Sequence, residues 1–240
     1  MVKKIVGTGV LLVLALALQA GVKMYTLKSP DGKVKLEVTA GQGIAYSLFY
    51  DGRLLLKPSR IALHTDLPEA DHWENIRITG TKQRHVSETV QAPFYRVKEF
   101  GIDCNELELR LNNGFSLLMR AYNDGMAYRF VAGRKGEMTV VEERAEFNFA
   151  DDFEAYIPYS TNPKDPWNMA FQNFYTKAPL TQYNTELPAF LPLTVDAGAV
   201  KLTLLESDLE AYPGMFVCGD GKTPALKGVF AAYPQETFKN

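Results

Sequence analysis

The stretch LELRLNNGFSLLMRAYNDGMAYRFV, residues 107–131, alternates apolar and polar side chains and is interrupted twice by Asn- and Gly-containing turns. Leu107, Leu109 and Leu111 alternate with Glu108 and Arg110, so an extended chain here has one apolar side and one charged side. Asn112-Asn113-Gly114 turns the chain, Phe115 to Tyr122 returns, and Asn123-Asp124-Gly125 turns it again into Met126 to Val131. Glycine supplies the positive φ that tight hairpin turns require. The stretch therefore predicts an antiparallel meander with one face in a core.

Working outward, the same grammar recurs. Val34, Leu36 and Val38 alternate with Lys35 and Glu37 after Asp31-Gly32, and a second strand is expected from Ile44 to Tyr50. Asp51-Gly52 reads as a hairpin turn into Leu54 to Leu56. Thr139 to Glu142 and Glu146 to Phe149 predict two further short strands. Between Ala62 and Arg84 the alternation fades, and Asp66, Pro68, Glu69, Asp71 and His72 predict a loop. No segment of comparable length shows a 3.6-residue period, so helices should be few. Residues 21–240 are expected to form one all-β domain, a large antiparallel β-sandwich.

At the start, Lys3 and Lys4 precede an apolar run from Ile5 to Leu18, with Ala15, Ala17 and Ala20 at its end. This is the layout of a secretory signal peptide over residues 1–20, with cleavage after Ala17 or Ala20. The run falls short of the ~20 apolar residues of a membrane span. The chain is expected to be exported to the periplasm or beyond, with no stable membrane anchor. A formal charge of −2, with basic residues dispersed, makes nucleic acid and anionic membrane poor partners.

Cys104 and Cys218 match no metal or thioredoxin spacing and are expected to be free, buried thiols. His64, His72 and His85 crowd one polar segment, read as a solvated loop. From Tyr156 the composition turns to Pro, Asn and aromatic residues: Pro158, Tyr159, Pro163, Pro166, Trp167, Phe171, Phe174 and Tyr175. Prolines at that density forbid a central strand. The rings either fold back on the sandwich or stand out for a saccharide or a partner domain.

Carboxylates then gather in two places. Glu186 lies in Tyr183-Asn184-Thr185-Glu186-Leu187, just before the apolar run Phe190 to Val195, and on composition alone reads as a solvated loop carboxylate. Glu206, Asp208 and Glu210 follow Leu202, Leu204 and Leu205. Ser207 and Glu210 have the spacing of a capping box, which predicts about one turn of helix stopped by Pro213-Gly214. Glu206 lies outside that box and is unexplained by it.

E-S-D-L-x-x-Y-P-G-M from Glu206 and L-K-G-V-F-A-x-Y-P from Leu226 resemble the amino-terminal domain of glycoside hydrolase family 97. Four further segments fall in the family's order: SPDGKVKLEV from Ser29, YDGRLLLKPS from Tyr50, RAYNDGMAYRF from Arg120 and FYTKAPLTQYNTELPAFLPLTV from Phe174. The resemblance implies the β-supersandwich of galactose-mutarotase-like domains. It implies a part in a calcium-dependent α-glucosidase or α-galactosidase whose (β/α)8 catalytic barrel has no counterpart before Asn240. In such an enzyme this domain donates one calcium ligand, at the position of Glu186, and brings Glu206 and Ser207 near an α-linked oligosaccharide. Calcium takes six to eight oxygens, and glycoside hydrolysis needs a placed pair of carboxylates. No catalytic residue is therefore assigned within this chain, and the barrel is the expected partner.

Two rivals have different requirements. A stand-alone periplasmic carbohydrate-binding or scaffold protein would use the aromatic segment and carry a polar surface where a barrel would dock. A mutarotase-type enzyme would need a His acid near a Glu base on adjacent strands.

Overall fold

The computed structural model describes residues 22–168, 171–209 and 212–232. The signal-peptide reading of residues 1–20 and the capping role of Glu210 lie outside those residues. Among the described residues fifteen strands follow one another with a single 3-10 turn at Leu180–Gln182. β1 (Lys23–Lys28), β2 (Val34–Gly41), β3 (Gly43–Tyr50) and β4 (Arg53–Thr65) are joined edge to edge with β9 (Val140–Asn148), β15 (Ala225–Phe230) and β14 (Met215–Gly219) in a 7-stranded antiparallel sheet. β5 (Ile78–Gln91), β6 (Glu99–Leu111), β7 (Phe115–Tyr122) and β8 (Gly125–Ala132) form a 4-stranded meander. A second 4-stranded sheet has the order β11 (Thr176–Pro179), β10 (Glu154–Ile157), β12 (Leu193–Asp196), β13 (Lys201–Leu204). The all-β sandwich is as expected.

The meander lies on the large sheet through β6 and β7 above β1 and β2, and through Tyr128 of β8 against Tyr46 of β3 at 5.9 Å between ring centroids. Strand alternation explains the core. Leu107, Leu109 and Leu111 of β6 and Leu117, Met119 and Ala121 of β7 are buried, while Arg110 between them is exposed. On the facing sheet, Ile44, Ile61 and Ala145 stand side by side across β3, β4 and β9, each 1% exposed. Trp73 closes one end, its Nε1 donating to the Leu63 carbonyl and its ring edge-on to Phe130.

Several boundaries differ from expectation. The Ala62–Arg84 loop is shorter, because β4 runs on to Thr65 and β5 resumes at Ile78. β5 is the outer strand of its sheet and mostly exposed on both sides, so its sequence does not alternate. The histidines are accordingly spread: His64 is the last residue but one of β4, His72 lies in the loop and His85 is in β5. The two strands expected around 139–149 are one continuous β9, in which Arg144 is exposed between inward Glu143 and Ala145. Cys104 and Cys218 are free, Cys104 buried and Cys218 half-buried.

Candidate functional site

β14 is the strand on which both predicted carboxylate segments are hung. Glu206 follows β13, and its two oxygens accept the Met215 N–H at 2.9 and 2.8 Å. Met215 begins β14, so this bond closes the E-S-D-L turn onto the large sheet. A Cβ at Gly214 would stand 3.3 Å from Glu206 Oε1, so the absence of a side chain lets the carboxylate approach the backbone. The expected helical turn is not formed by the described residues 205–209. Asp208 instead takes a left-handed φ of 65° and pairs with Arg129 of β8 at 3.2 Å. Ser207 is exposed.

Behind the turn lies a carboxylate that the sequence reading did not single out. Glu143 is on the same side of β9 as Ala145 and Phe147, and Tyr212 Oη donates to its Oε2 at 2.7 Å. The Tyr212 ring meets Phe230 of β15 edge-on at 5.8 Å. Burial pushes the Glu143 carboxyl above its ordinary range, and the charge of Glu206 pushes it further, against the Tyr212 hydrogen bond. Burial also raises Glu206, against the pull of the Met215 N–H. Burial and the Glu143 charge raise the Tyr212 phenol. The charge of one half-buried carboxylate thus acts on the other, which Tyr212 also holds, so ionising both at once is disfavoured. The available signal was the odd-position periodicity of β9, which puts a charged residue on a core-facing side.

Glu186 is placed by aromatic scaffolding. Tyr183 Oη donates to the carbonyls of Val217, at 2.7 Å, and Leu187, at 3.1 Å. The Tyr159 hydroxyl accepts the Asn184 N–H at 2.8 Å, and the two rings meet edge-on at 5.0 Å. Ala189 then bridges Val217 through two backbone bonds of 2.8 Å. A Cβ at Gly219 would lie 2.7 Å from Tyr183 Cγ, so only glycine admits that ring. The loop tip so fixed leaves Glu186 exposed, its N–H on Asn184 Oδ1 at 3.1 Å. Met215 and Val217 are two residues apart, or about 7 Å of strand, so β14 joins the anchors of both segments. Among the described residues no hydrogen bond links Glu186 to Glu206, and no group of three or more His, Cys, Asp or Glu is arranged around a metal position.

The aromatic segment divides between its two readings. Trp167 and Phe171 fold back, with ring centroids 4.8 Å from Phe216 and 5.5 Å from Phe190, respectively. Phe174 stands out, 95% exposed. The pairing a mutarotase would need is met only in backbone register. His64 lies opposite Glu142 across β4 and β9, but its Nδ1 is 2.6 Å from Asp71 and Glu142 is exposed.

Both carboxylate-bearing turns are thus anchored on β14 of the all-β sandwich, Glu206 through Met215 at the start of the strand and the Glu186 loop through Val217 and Gly219 toward its end. The model for the glycosyl-hydrolase 97 N-terminal family matches residues 27–235, and the chain belongs to that family. It is 39% identical over 231 residues to a retaining alpha-galactosidase of Bacteroides thetaiotaomicron, covering 93% of this chain and 34% of that one. A probable retaining alpha-galactosidase of Streptomyces bingchenggensis is 26% identical over 158 residues, 64% of this chain and 24% of the other. The chain therefore spans about a third or less of these relatives. A family 97 enzyme from Pseudoalteromonas sp. strain K8, solved with acarbose, superposes with a TM-score of 0.71 at 18% identity, over 86% of this chain and 32% of that one. A beta-arabinopyranosidase superposes at 0.73 and 20% identity, over 87% and 35%. These superpositions carry the fold. Among the described residues no helix is long and apolar enough to cross a membrane.

Proposed function

We propose that this chain acts as the amino-terminal domain of an exported, calcium-dependent glycoside hydrolase that cleaves α-linked galactosides. Its part is to close one side of a site whose acid and nucleophile stand on a (β/α)8 barrel. The carrying observation is the match across nearly the whole chain to a part only of a retaining alpha-galactosidase. The preference for galactoside over glucoside rests on both curated relatives bearing that name.

Calcium takes six to eight oxygens, so this chain can supply only a minority of them and should hold the ion weakly alone. Bound there, the ion would offset carboxylate charge and fix sugar oxygens. Glu186 is the donated ligand in the first reading, since its exposed carboxylate accepts no hydrogen bond from a described residue; Glu206 and Ser207 then face the sugar. A second reading makes Glu206 the ligand. It is favoured by the half-burial of Glu206, its fixed aim through Met215, and the neighbouring charge of Glu143.

The test joins this chain to the remainder of the Bacteroides enzyme and assays hydrolysis of nitrophenyl α-galactoside against calcium. The chimera should be active and the chain alone inactive. Under the first reading, Glu186→Gln raises the calcium requirement and Glu206→Gln raises KM alone. Under the second, the two effects exchange places. A folded chimera without activity, or calcium dependence unmoved by either change, would sink the metal assignment. A stand-alone scaffold would show saccharide binding by the chain itself and no gain on fusion.

A further inference from the structure

The β5–β6 hairpin outruns its sheet. β7 pairs with β6 only over Cys104 to Arg110, yet β5 and β6 stay in register from Ser87↔Asp103 to Gln91↔Glu99. Residues 87–103 therefore form a two-stranded arm whose two edges pair with no other strand among the described residues. It leaves from the end where Asp31 meets Asn123, whereas β15 finishes at Phe230, at the opposite end beside Tyr212.

The arm's apolar side is reversed relative to the sandwich. Within the sheet, the core side of β6 is Leu107, Leu109 and Leu111, and the outer side is Glu106, Glu108 and Arg110. Beyond Asn105 the apolar residues change side to Cys104, Ile102 and Phe100, opposite Val86, Glu88 and Val90. No bulge intervenes, because the only register shift of this ladder is at Ile78/Gly80. The residues that continue the core side, Ser87, Asp103, Thr89, Gln91 and Glu99, are polar. The apolar side thus points away from the domain's own core, with Val90 41% and Phe100 44% exposed. Phe94 and Tyr95 at the tip are 98% and 72% exposed. A two-stranded ribbon is marginal alone in water, and an apolar face turned outward needs a partner to cover it.

Charge on that face selects the partner. Glu88 lies two residues toward the base from Val90, and Lys98 two residues toward the tip from Phe100, with Ala92 N–H bonded to the Lys98 carbonyl. An antiparallel two-fold arrangement of two arms about Val90–Phe100 brings Lys98 of each alongside Glu88 of the other; a parallel one sets Lys98 near Lys98. Three rings at these exposures offer on the order of 400 Å², about half of the ~800 Å² per partner of a standard interface, and Val90, Val97, Ile102 and the side-chain stems add to it. We propose that this arm is a homodimerisation element, packing face to face and antiparallel against the arm of a second copy of this chain, with isologous Lys98–Glu88 pairs.

The test is sedimentation equilibrium of the purified chain up to about 100 μM, a range that reports micromolar self-association. A dimer is expected, and Phe100→Asp should abolish it. Lys98→Glu or Glu88→Lys alone should weaken it roughly tenfold or more, and the double variant Glu88→Lys/Lys98→Glu should restore it. The charge variants lie at exposed positions, so they answer the question even if Phe100→Asp fails to fold. A wild-type monomer overturns the proposal. So does a dimer indifferent to the charge changes, or one in which the double variant is weaker than both singles. Protection of Phe94 and Tyr95 only on fusion to a family 97 barrel would assign the arm to that domain and likewise overturn it.

Discussion

At the scale of single residues, Glu143 and Glu206 carry a definite pH signature. Burial raises both carboxyls, so the folded state holds protons more tightly than the unfolded chain. Their contribution to stability is present below the unfolded value and is lost as pH rises through the raised folded value. Asp31, Asp66, Asp196 and Asp220 have the opposite sign, because hydrogen bonds, joined by nearby cations at all but Asp220, hold them below their ordinary range; their contribution is lost on acidification. The melting temperature should therefore pass through a maximum and decline toward neutrality. Glu143→Gln, which still accepts from Tyr212, should flatten that decline without shifting the acid limb. Calorimetry from about pH 3 to 8 checks this, and an unchanged slope would contradict it. Gly219→Ala tests the scaffold of the other carboxylate. Its methyl would overlap the Tyr183 ring, so a loss of about 1–3 kcal/mol is expected in urea unfolding, together with movement of the Glu186 loop visible in Tyr183 fluorescence.

At the scale of elements, the outer face of the meander is organised by direct cross-strand neighbours. Arg84, Glu106 and Arg120 are register partners across β5, β6 and β7, with Glu106 accepting both guanidinium Nε groups at 2.6 and 2.7 Å while only 5% exposed. Glu106→Ala should cost about 2 kcal/mol, as for charged hydrogen bonds, and Glu106→Gln less. Arg84→Ala should cost little, because that arginine is 53% exposed. Urea denaturation of the three variants ranks them. Such elements also show what could be read from the chain alone. The Leu107–Val131 meander was legible because one side faces a core and the other water. β5 was not, being an edge strand exposed on both sides, and the fusion of the expected 139–149 pair into β9 was hidden by Glu143, a charge on an inward position. The site was legible only in part. Glu206 was marked by falling outside a capping box, but its partner Glu143 is 63 residues away and becomes its neighbour only through the pairing of β9, β15 and β14.

At the scale of the whole molecule, cover over the large sheet is uneven. The meander ends at β8, above β3, and the Tyr183 loop covers β14 near Gly219. Between them, at the end where β9 begins and β15 finishes, Glu143, Tyr212, Met215, Gly228 and Phe230 are only half-buried. Val141, the unpaired residue at the β-bulge of β9 opposite His64 and Thr65, is 68% exposed, and Leu205 and Leu209 in the adjoining turn are 66% and 45% exposed. The last described strand leads out of the sandwich at this place, so a domain joined after it would start beside these side chains. If the barrel of the proposed enzyme seats here, the apolar side chains contribute to docking and not to the domain's own folding. Leu205→Lys and Leu209→Lys should then alter the stability of the chain alone by no more than about 0.5 kcal/mol, the usual range for surface changes. In the chimera with the Bacteroides barrel, the same pair should lower the temperature at which activity is lost and open the junction to limited proteolysis. Hydrophobic dye bound by the chain alone should fall in the double variant and on fusion. A double variant that melts early by itself would show these leucines to be structural. One that leaves the chimera's thermal inactivation and proteolysis unchanged would place the barrel on another face.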